Sequence, residues 1–236
     1  MTELRRLDAL LASTGRWSRS EAKALIRAGR VAVDGVPVTR PEEKCAPAAV
    51  TVDGAPVCCE RYVYLMLYKP VGVLSATEDR RQHTVLDLLP PHLRRVGLYP
   101  VGRLDKDSEG LLLLTNDGPL GHRLLAPGRH VDKTYLVEVD APLDEEDAAA
   151  FRQGMTLGDG TRLQPAKLEI CGPARCLVTI QEGKHRQIRR MMARRGKEVV
   201  SLKRLTMGPL TLDETLAPGD WRPLTEAERA RLPVSG

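Results

Sequence analysis

Leu4, Leu7 and Leu11 recur at helical spacing, and Ala22, Leu25 and Ile26 repeat the i, i+3, i+4 pattern of a helix with one buried face. Two packed helices are therefore expected at the start of the chain. Ser18-Arg19-Ser20-Glu21 fits a capping box that opens the second, and Gly29 is placed to end it. On that helix Arg19, Lys23, Arg27 and Arg30 follow one another at spacings of four, four and three, so a row of cations lies away from the apolar face. Val31 to Val38 then forms two β-prone runs around Asp34-Gly35, a strong hairpin signal, and Asp53-Gly54 repeats it. Beyond Pro56 the pattern changes. Arg61 to Tyr68 reads as a buried strand stopped at Lys69-Pro70-Val71-Gly72. Further strands are expected at 111–115, 134–139, 175–180, 198–204 and 209–213, and helices at 119–125, 144–153 and 185–195. Strands and helices mix without a regular βαβ rhythm, which predicts an α+β fold. A small helical and β-hairpin module (1–60) precedes a larger domain (61–236) with a mixed, mostly antiparallel sheet flanked by helices. No Gly-x-Gly-x-x-Gly follows a strand and no Walker-type phosphate loop is present, so nothing indicates a nucleotide-cofactor fold.

Composition narrows the class. The chain has 236 residues, 42% hydrophobic and 28% charged, as in an ordinary globular protein. Its apolar runs, such as Tyr62 to Tyr68 and Leu111 to Leu114, are far shorter than the roughly 20 residues that span a bilayer, so no membrane association is expected. Charges interrupt the leucines of the N-terminal stretch, unlike a signal peptide, and a cytoplasmic location is expected. Five cysteines, including the adjacent Cys58 and Cys59, make a poor disulfide framework and are expected to be reduced. Cys171 and Cys176 lack two further ligands at zinc spacing. Aromatics are only 3%, which argues against a sheet that stacks several bases.

The formal net charge of +5 is concentrated. Residues 1–30 sum to +4 and residues 181–206 to +7, leaving −6 on the remaining 180. A single charge run is usually a solvated face; two separated ones suggest two contact surfaces for a long polyanion.

Gly102-Arg103-Leu104-Asp105-Lys106-Asp107-Ser108-Glu109-Gly110 crowds three carboxylates and two cations ahead of four leucines. Such a loop faces solvent or a ligand. A calcium loop fits positions 1, 3, 5 and 6 but fails at 12, where Asn116 stands in place of a bidentate Glu, and at 9, which is Leu113. A plain charged turn is the commonest fate of such a segment.

Two resemblances sharpen the picture. Leu-Asp-Ala-Leu-Leu-Ala near the start, Ser-Arg-Ser-Glu-Ala at 18–22, Leu-Ile at 25–26, Gly-Arg-Val at 29–31 and Val-Asp-Gly at 33–35 resemble the RNA-binding module named after small-subunit ribosomal protein four. That module grips RNA with cationic side chains, which implies RNA contact through Arg19, Lys23 and Arg27. Gly-Arg-Leu-Asp at 102–105 with Asp-Ser-x-Gly-Leu-Leu-Leu-Leu-Thr-Asn-Asp-Gly at 107–118 is similar to the catalytic motif of the pseudouridine synthases, in the branch named after the ribosomal small-subunit enzyme. Lys69-Pro-x-Gly72, Lys133-Thr134-Tyr135 and Glu182 to Met191 follow as further landmarks, so the likeness covers essentially the whole chain.

The resemblance implies an isomerase that needs no cofactor and no metal. It breaks the bond between uracil nitrogen and ribose, turns the base and rejoins it through a ring carbon. Asp105 matches the catalytic aspartate, acting either as nucleophile at the anomeric carbon or as a base on the sugar. Asp107 and Asp117 are assigned to loop structure. Arg189 lies in a stretch resembling the one whose cation pairs with that aspartate, and such a cation would keep it ionised in a partly dry pocket. Tyr135 matches the tyrosine that stacks on the target base. Arg103, within the Gly-Arg-Leu-Asp motif, is expected to bind substrate. On a helix from 185, Ile188, Met191 and Met192 face inward, with Ile188 as an apolar floor for the base, and Arg186, Arg190 and Arg194 form a face suited to phosphates. A surface basic helix docked by its methionines explains that spacing equally well.

The expected partner is ribosomal RNA or an assembling ribosomal particle, the expected state a monomer. Arg222-Pro223-Leu224-Thr225-Glu226 looks like the ending of the small-subunit branch, which points to one uridine of 16S rRNA. The alternatives are a large-subunit (23S) rRNA pseudouridine synthase, a non-catalytic RNA-binding assembly factor, and a metal nuclease using the acidic loop.

Overall fold

The computed structural model describes residues 4–46, 50–57, 62–125 and 131–233. Cys58, Cys59 and Arg61 lie outside them, as do the first three residues of the N-terminal stretch. The chain divides into two compact units, Met1–Val63 with Leu86–Tyr99, and Tyr64–Val85 with Pro100–Gly236.

In the first unit, helices α1 (Leu7–Ser13) and α2 (Arg19–Arg27) pack through Leu7, Leu10, Leu11, Ala22 and Ile26, all fully buried. The capping box forms as the spacing predicted: Ser18 Oγ accepts from Glu21 N at 3.2 Å, and Glu21 Oε2 accepts from Ser18 N at 2.6 Å. Leu4 departs from its expected place. It is exposed, because Arg5–Arg6 pairs as a short antiparallel strand with Lys44–Cys45 and α1 begins only at Leu7. Four short strands, β1 (Val31–Val33), β2 (Val36–Pro37), β3 (Val50–Val52) and β4 (Ala55–Pro56), align in the order β2-β1-β3-β4. Both Asp-Gly pairs make the hairpin turns, with φ of 50° and 79° at Asp34-Gly35 and 51° and 78° at Asp53-Gly54.

The second unit is built on β5 (Tyr64–Lys69), β6 (Glu109–Thr115), β7 (Lys133–Val139), β8 (Lys167–Gly172), β9 (Arg175–Ile180), β10 (Val199–Met207), β11 (Leu210–Thr211) and β12 (Trp221–Pro223). They run in the order β8-β9-β7-β10-β6-β5-β12, with β11 on β10. Pairing is antiparallel throughout this path except between β10 and β6. Leu111 to Leu114 are all fully buried, as expected of a strand covered on both faces.

Helices α3 (Gly118–Leu125), α4 (Glu145–Gln153), α5 (Gln187–Arg194) and α6 (Glu226–Ala230) complete the unit. Phe151, Val137, Val178, Met191 and Met192 form its core. Asp147, fully buried on α4, receives Arg195 and Lys197 at 2.8 Å each, which anchors the end of α5. The sequence pattern did not disclose β8, β12 or α6. β8 is a mostly exposed edge strand, and the other two are only a few residues long. Among the described residues no helix is long and apolar enough to cross a membrane, and Cys45, Cys171 and Cys176 are free thiols.

Candidate active site

Cross-strand register sets the site. Lys69, Gly110, Arg204, Tyr135 and Val178 stand side by side on five neighbouring strands. Gly110, at φ 108°, is required there, since a Cβ would lie 2.3 Å from the Arg204 carbonyl oxygen. The loop that enters β6 carries Asp105.

That loop is clamped from below. Lys69 is fully buried, and its Nζ donates to the carbonyls of Pro70 (2.9 Å), Asp105 (3.1 Å) and Ser108 (2.8 Å). Gly72 N donates to Lys106 O at 2.7 Å. Ser75 Oγ donates to Leu104 O at 2.8 Å and accepts from Leu104 N at 3.0 Å. Burial pushes the Lys69 ammonium down to about 8, and the neighbouring Arg204 acts in the same direction against the charges of Asp105, Asp107 and Glu109. Lys69 was read only as a landmark. The available signal was a lysine closing an otherwise apolar buried run.

Above the loop lies a cleft of about 240 Å³, lined by Arg103, Leu104, Asp105, Ser108, Tyr135, Ile180, Arg186, Ile188 and Leu202 among others. Asp105, Tyr135, Ile188, Arg103 and Arg186, predicted from different parts of the chain, therefore meet at one cavity. Tyr135 is buried on β7 and Ile188 on α5, so an aromatic ring and an aliphatic side chain line the same cleft as the half-buried carboxylate.

Arg189 is placed differently from the expectation. Its Nη2 donates to Asp107 O and its Nη1 to Val199 O, both at 2.8 Å, and its Nε lies 3.4 Å from Asp107 Oδ2. Among the described residues Asp105 forms no ion pair, and Arg189 is not part of the cleft wall. The expected Asp105–Arg189 pair is thus replaced by Asp107–Arg189, because the turn after Asp105 carries Asp107 toward α5. Arg186 Nη2 also holds Asp107, at 2.8 Å. Partial burial works against ionisation of Asp107. The bond from Arg186 and the charges of Arg189 and Arg186 outweigh it and keep the carboxyl below its ordinary range. The Asp105 charge acts on both Lys69 and Arg186 and favours their protonated forms.

Arg186 caps α5 in the left-handed region, at φ 51° and ψ 34°. A non-glycine residue there is uncommon and is held by its surroundings. Gln187 accepts from Lys184 N at 3.1 Å and donates to buried Glu182 at 2.9 Å, and Glu182 also accepts from Gln164 N at 2.8 Å. Both lie in the landmark stretch 182–191, where nothing local signalled that they are buried and shape the turn before α5. Arg190 was expected on the phosphate face and is bonded to Asp159 at 2.5 Å. Asp117 accepts from Tyr64 Oη (2.8 Å) and from Leu120 N (3.0 Å), a structural role at the start of α3.

In the first unit, Arg19 lies 3.3 Å from buried Asp8 yet remains exposed, and Arg30 is held by Asp53 at 2.5 Å. Lys23 and the exposed Arg27 make no ion pair among the described residues. Arg19, Lys23 and Arg27 succeed one another on α2 as the spacing predicted.

A family model described as RNA pseudouridylate synthase matches residues 63–194. The chain belongs to the RNA pseudouridylate synthase family. As a pseudouridine synthase it is an isomerase that converts uridine to pseudouridine. An S4 domain, the RNA-binding module, matches residues 5–50 of this pseudouridine synthase. It is 50% identical to the uncharacterized RNA pseudouridine synthase YtzG of Bacillus subtilis (strain 168), over 94% of this chain and 96% of that protein. It is 42% identical to ribosomal small subunit pseudouridine synthase A of Salmonella typhimurium and 41% identical to that of Escherichia coli (strain K12), each over 96% of this chain and 99% of the relative. A crystal structure of pseudouridylate synthase superposes with a TM-score of 0.69 at 35% identity, covering 96% of this chain and 99% of that one. The pseudouridine synthase fold is therefore α+β with a mostly antiparallel sheet, as the sequence pattern predicted.

Proposed function

We infer that this pseudouridine synthase isomerises one uridine of 16S ribosomal RNA, with Asp105 as its catalytic carboxylate. The observation that carries the reading is the meeting of Asp105, Tyr135 and Ile188 at one small cleft bordered by a rigidly clamped loop. The choice of the small subunit is supported by relatives named ribosomal small subunit pseudouridine synthase A, at 41 to 42% identity over almost the whole chain.

The target nucleotide leaves its helix, at about a few kcal/mol offset by new contacts, and enters the cleft. Asp105 acts at the sugar as nucleophile or base. The bond from the anomeric carbon to N1 breaks and uracil departs with the electron pair as a delocalised anion. The base turns, its C5 bonds to the anomeric carbon, the C5 proton is lost and N1 is protonated, so the product is an isomer and no co-reactant is consumed. Tyr135 stacks on the base and Ile188 supports its other side. Lys69 holds the Asp105 loop by its backbone carbonyls, while Arg186 and Arg189 brace it through Asp107. Arg103 and Arg186 bind substrate at the cleft, and Arg190 meets a phosphate on exchanging its Asp159 partner. Residues 1–60 grip RNA through Arg19, Lys23 and Arg27, and residues 61–236 carry out the chemistry. The enzyme works as a monomer in the cytoplasm, on rRNA or an assembling particle, and needs neither metal nor cofactor.

The test is tritium release from 5-tritiated uracil in transcribed 16S rRNA, with the modified uridine mapped in the same product. Wild type is expected to release tritium and Asp105→Asn to release none; equal release by both refutes the assignment. Lys23→Ala is expected to weaken RNA binding and lower its salt slope by roughly one.

A further inference from the structure

Ser108 is 1% exposed, lines the cleft beside Asp105, and among the described residues its Oγ has no hydrogen-bond partner. Its backbone, in contrast, is engaged on both sides. The Ser108 N–H donates to Asp105 O at 3.1 Å, closing a turn over residues 105–108, and the Ser108 carbonyl accepts from Lys69 Nζ at 2.8 Å. A buried hydroxyl without a partner destabilises the fold, and alanine at the same place would not. Such a group persists where it serves a ligand.

We propose that Ser108 Oγ is reserved for the substrate and hydrogen-bonds the ribose 2′-hydroxyl of the target uridine, so that the cleft distinguishes RNA from DNA. The proposal rests on Asp105 being the carboxylate that faces the sugar. Lys69 holds the carbonyls of both Asp105 and Ser108, so the two side chains share one rigid frame. Asp105 works at the anomeric carbon or its neighbour under either mechanism, and the 2′-hydroxyl sits on that neighbour. The base belongs on the other side, against Tyr135 and Ile188. A hydroxyl can both donate and accept, which suits a second hydroxyl as its partner. The 2′-hydroxyl is the group by which proteins tell RNA from DNA at a given site.

The test compares affinities for the 16S target RNA carrying uridine or 2′-deoxyuridine at the modified position. It uses the full chain with Asp105→Asn, so that no turnover intervenes. With Ser108 present, uridine RNA is expected to bind roughly three- to tenfold more tightly, the range for one neutral hydrogen bond. Adding Ser108→Ala is expected to erase that preference and Ser108→Thr to retain it. In the wild-type background, Ser108→Ala is expected to leave the melting temperature unchanged or higher while lowering kcat/KM on uridine RNA by a similar factor. An undiminished preference in Ser108→Ala, no preference with Ser108 present, or a lowered melting temperature overturns the proposal. Absence of pseudouridine formation by the wild type would refute the functional reading instead, and it is measured separately.

Discussion

Replacing Lys69 by methionine removes an ammonium that is fully buried and bonded to three carbonyls, with no carboxylate within ion-pair distance among the described residues. Burial lowers this group from its ordinary 10.5 to about 8. Between those values the unfolded chain keeps the proton and the native protein releases it, so native stability rises with pH across that window. Below about pH 8 both states are protonated and the whole penalty is present. The interval, at about 1.4 kcal/mol per pH unit, amounts to roughly 3 kcal/mol, of which about 2 kcal/mol is recovered by pH 9.5. Lys69→Met lacks this proton, and other titrating groups cancel in the comparison. Urea unfolding of both proteins at pH 7, 8.5 and 9.5 is therefore expected to show the stability difference moving by about 2 kcal/mol in favour of wild type as pH rises. Wild-type turnover should fall over the same range as the cation beneath Asp105 disappears. A stability difference independent of pH, or one moving the opposite way, would refute the argument.

Asp107→Asn removes pairs with Arg186 and Arg189 that are partly open to solvent, with Asp107 itself 46% exposed, so the expected loss is at most about 1 kcal/mol at pH 7. Because that carboxyl is held below its ordinary range, the contribution is present at neutral pH and lost on acidification; urea midpoints of the two proteins should converge as pH falls. Gly110→Ala places a Cβ 2.3 Å from the Arg204 carbonyl oxygen at φ 108° and is expected to destabilise by roughly 2–4 kcal/mol, combining overpacking with an unfavourable backbone region. Denaturant unfolding within about 0.5 kcal/mol of wild type would show that β6 and β10 can separate without cost.

Local patterns were legible wherever a short stretch contains its own physical reason. The capping box at Ser18, both Asp-Gly turns and the inward face of Ile188, Met191 and Met192 all appear where spacing placed them. Backbone geometry and side-chain period act over a few residues, so sequence alone determines them. The motifs also marked Asp105, Tyr135 and Arg189 as one chemistry on three separate segments, and the first two line one cleft while Arg189 does not. Spacing could not say which acid each arginine would meet. Arg189 bonds to Asp107 rather than Asp105 because that choice depends on where β6 and α5 come together.

Lys69, Ser75 and Ser108 show the same limit. A lysine closing an apolar run hints at a buried cation, but its clamp partners, like that of Ser75, sit dozens of residues away, and Ser108 Oγ has none among the described residues. Sequence by itself determined the helices, turns and candidate reacting groups. Only tertiary structure decided which charges face Asp105, because electrostatic and hydrogen-bond partners are chosen by distance in space, and strand register brings Lys69, Gly110, Arg204 and Tyr135 into one row.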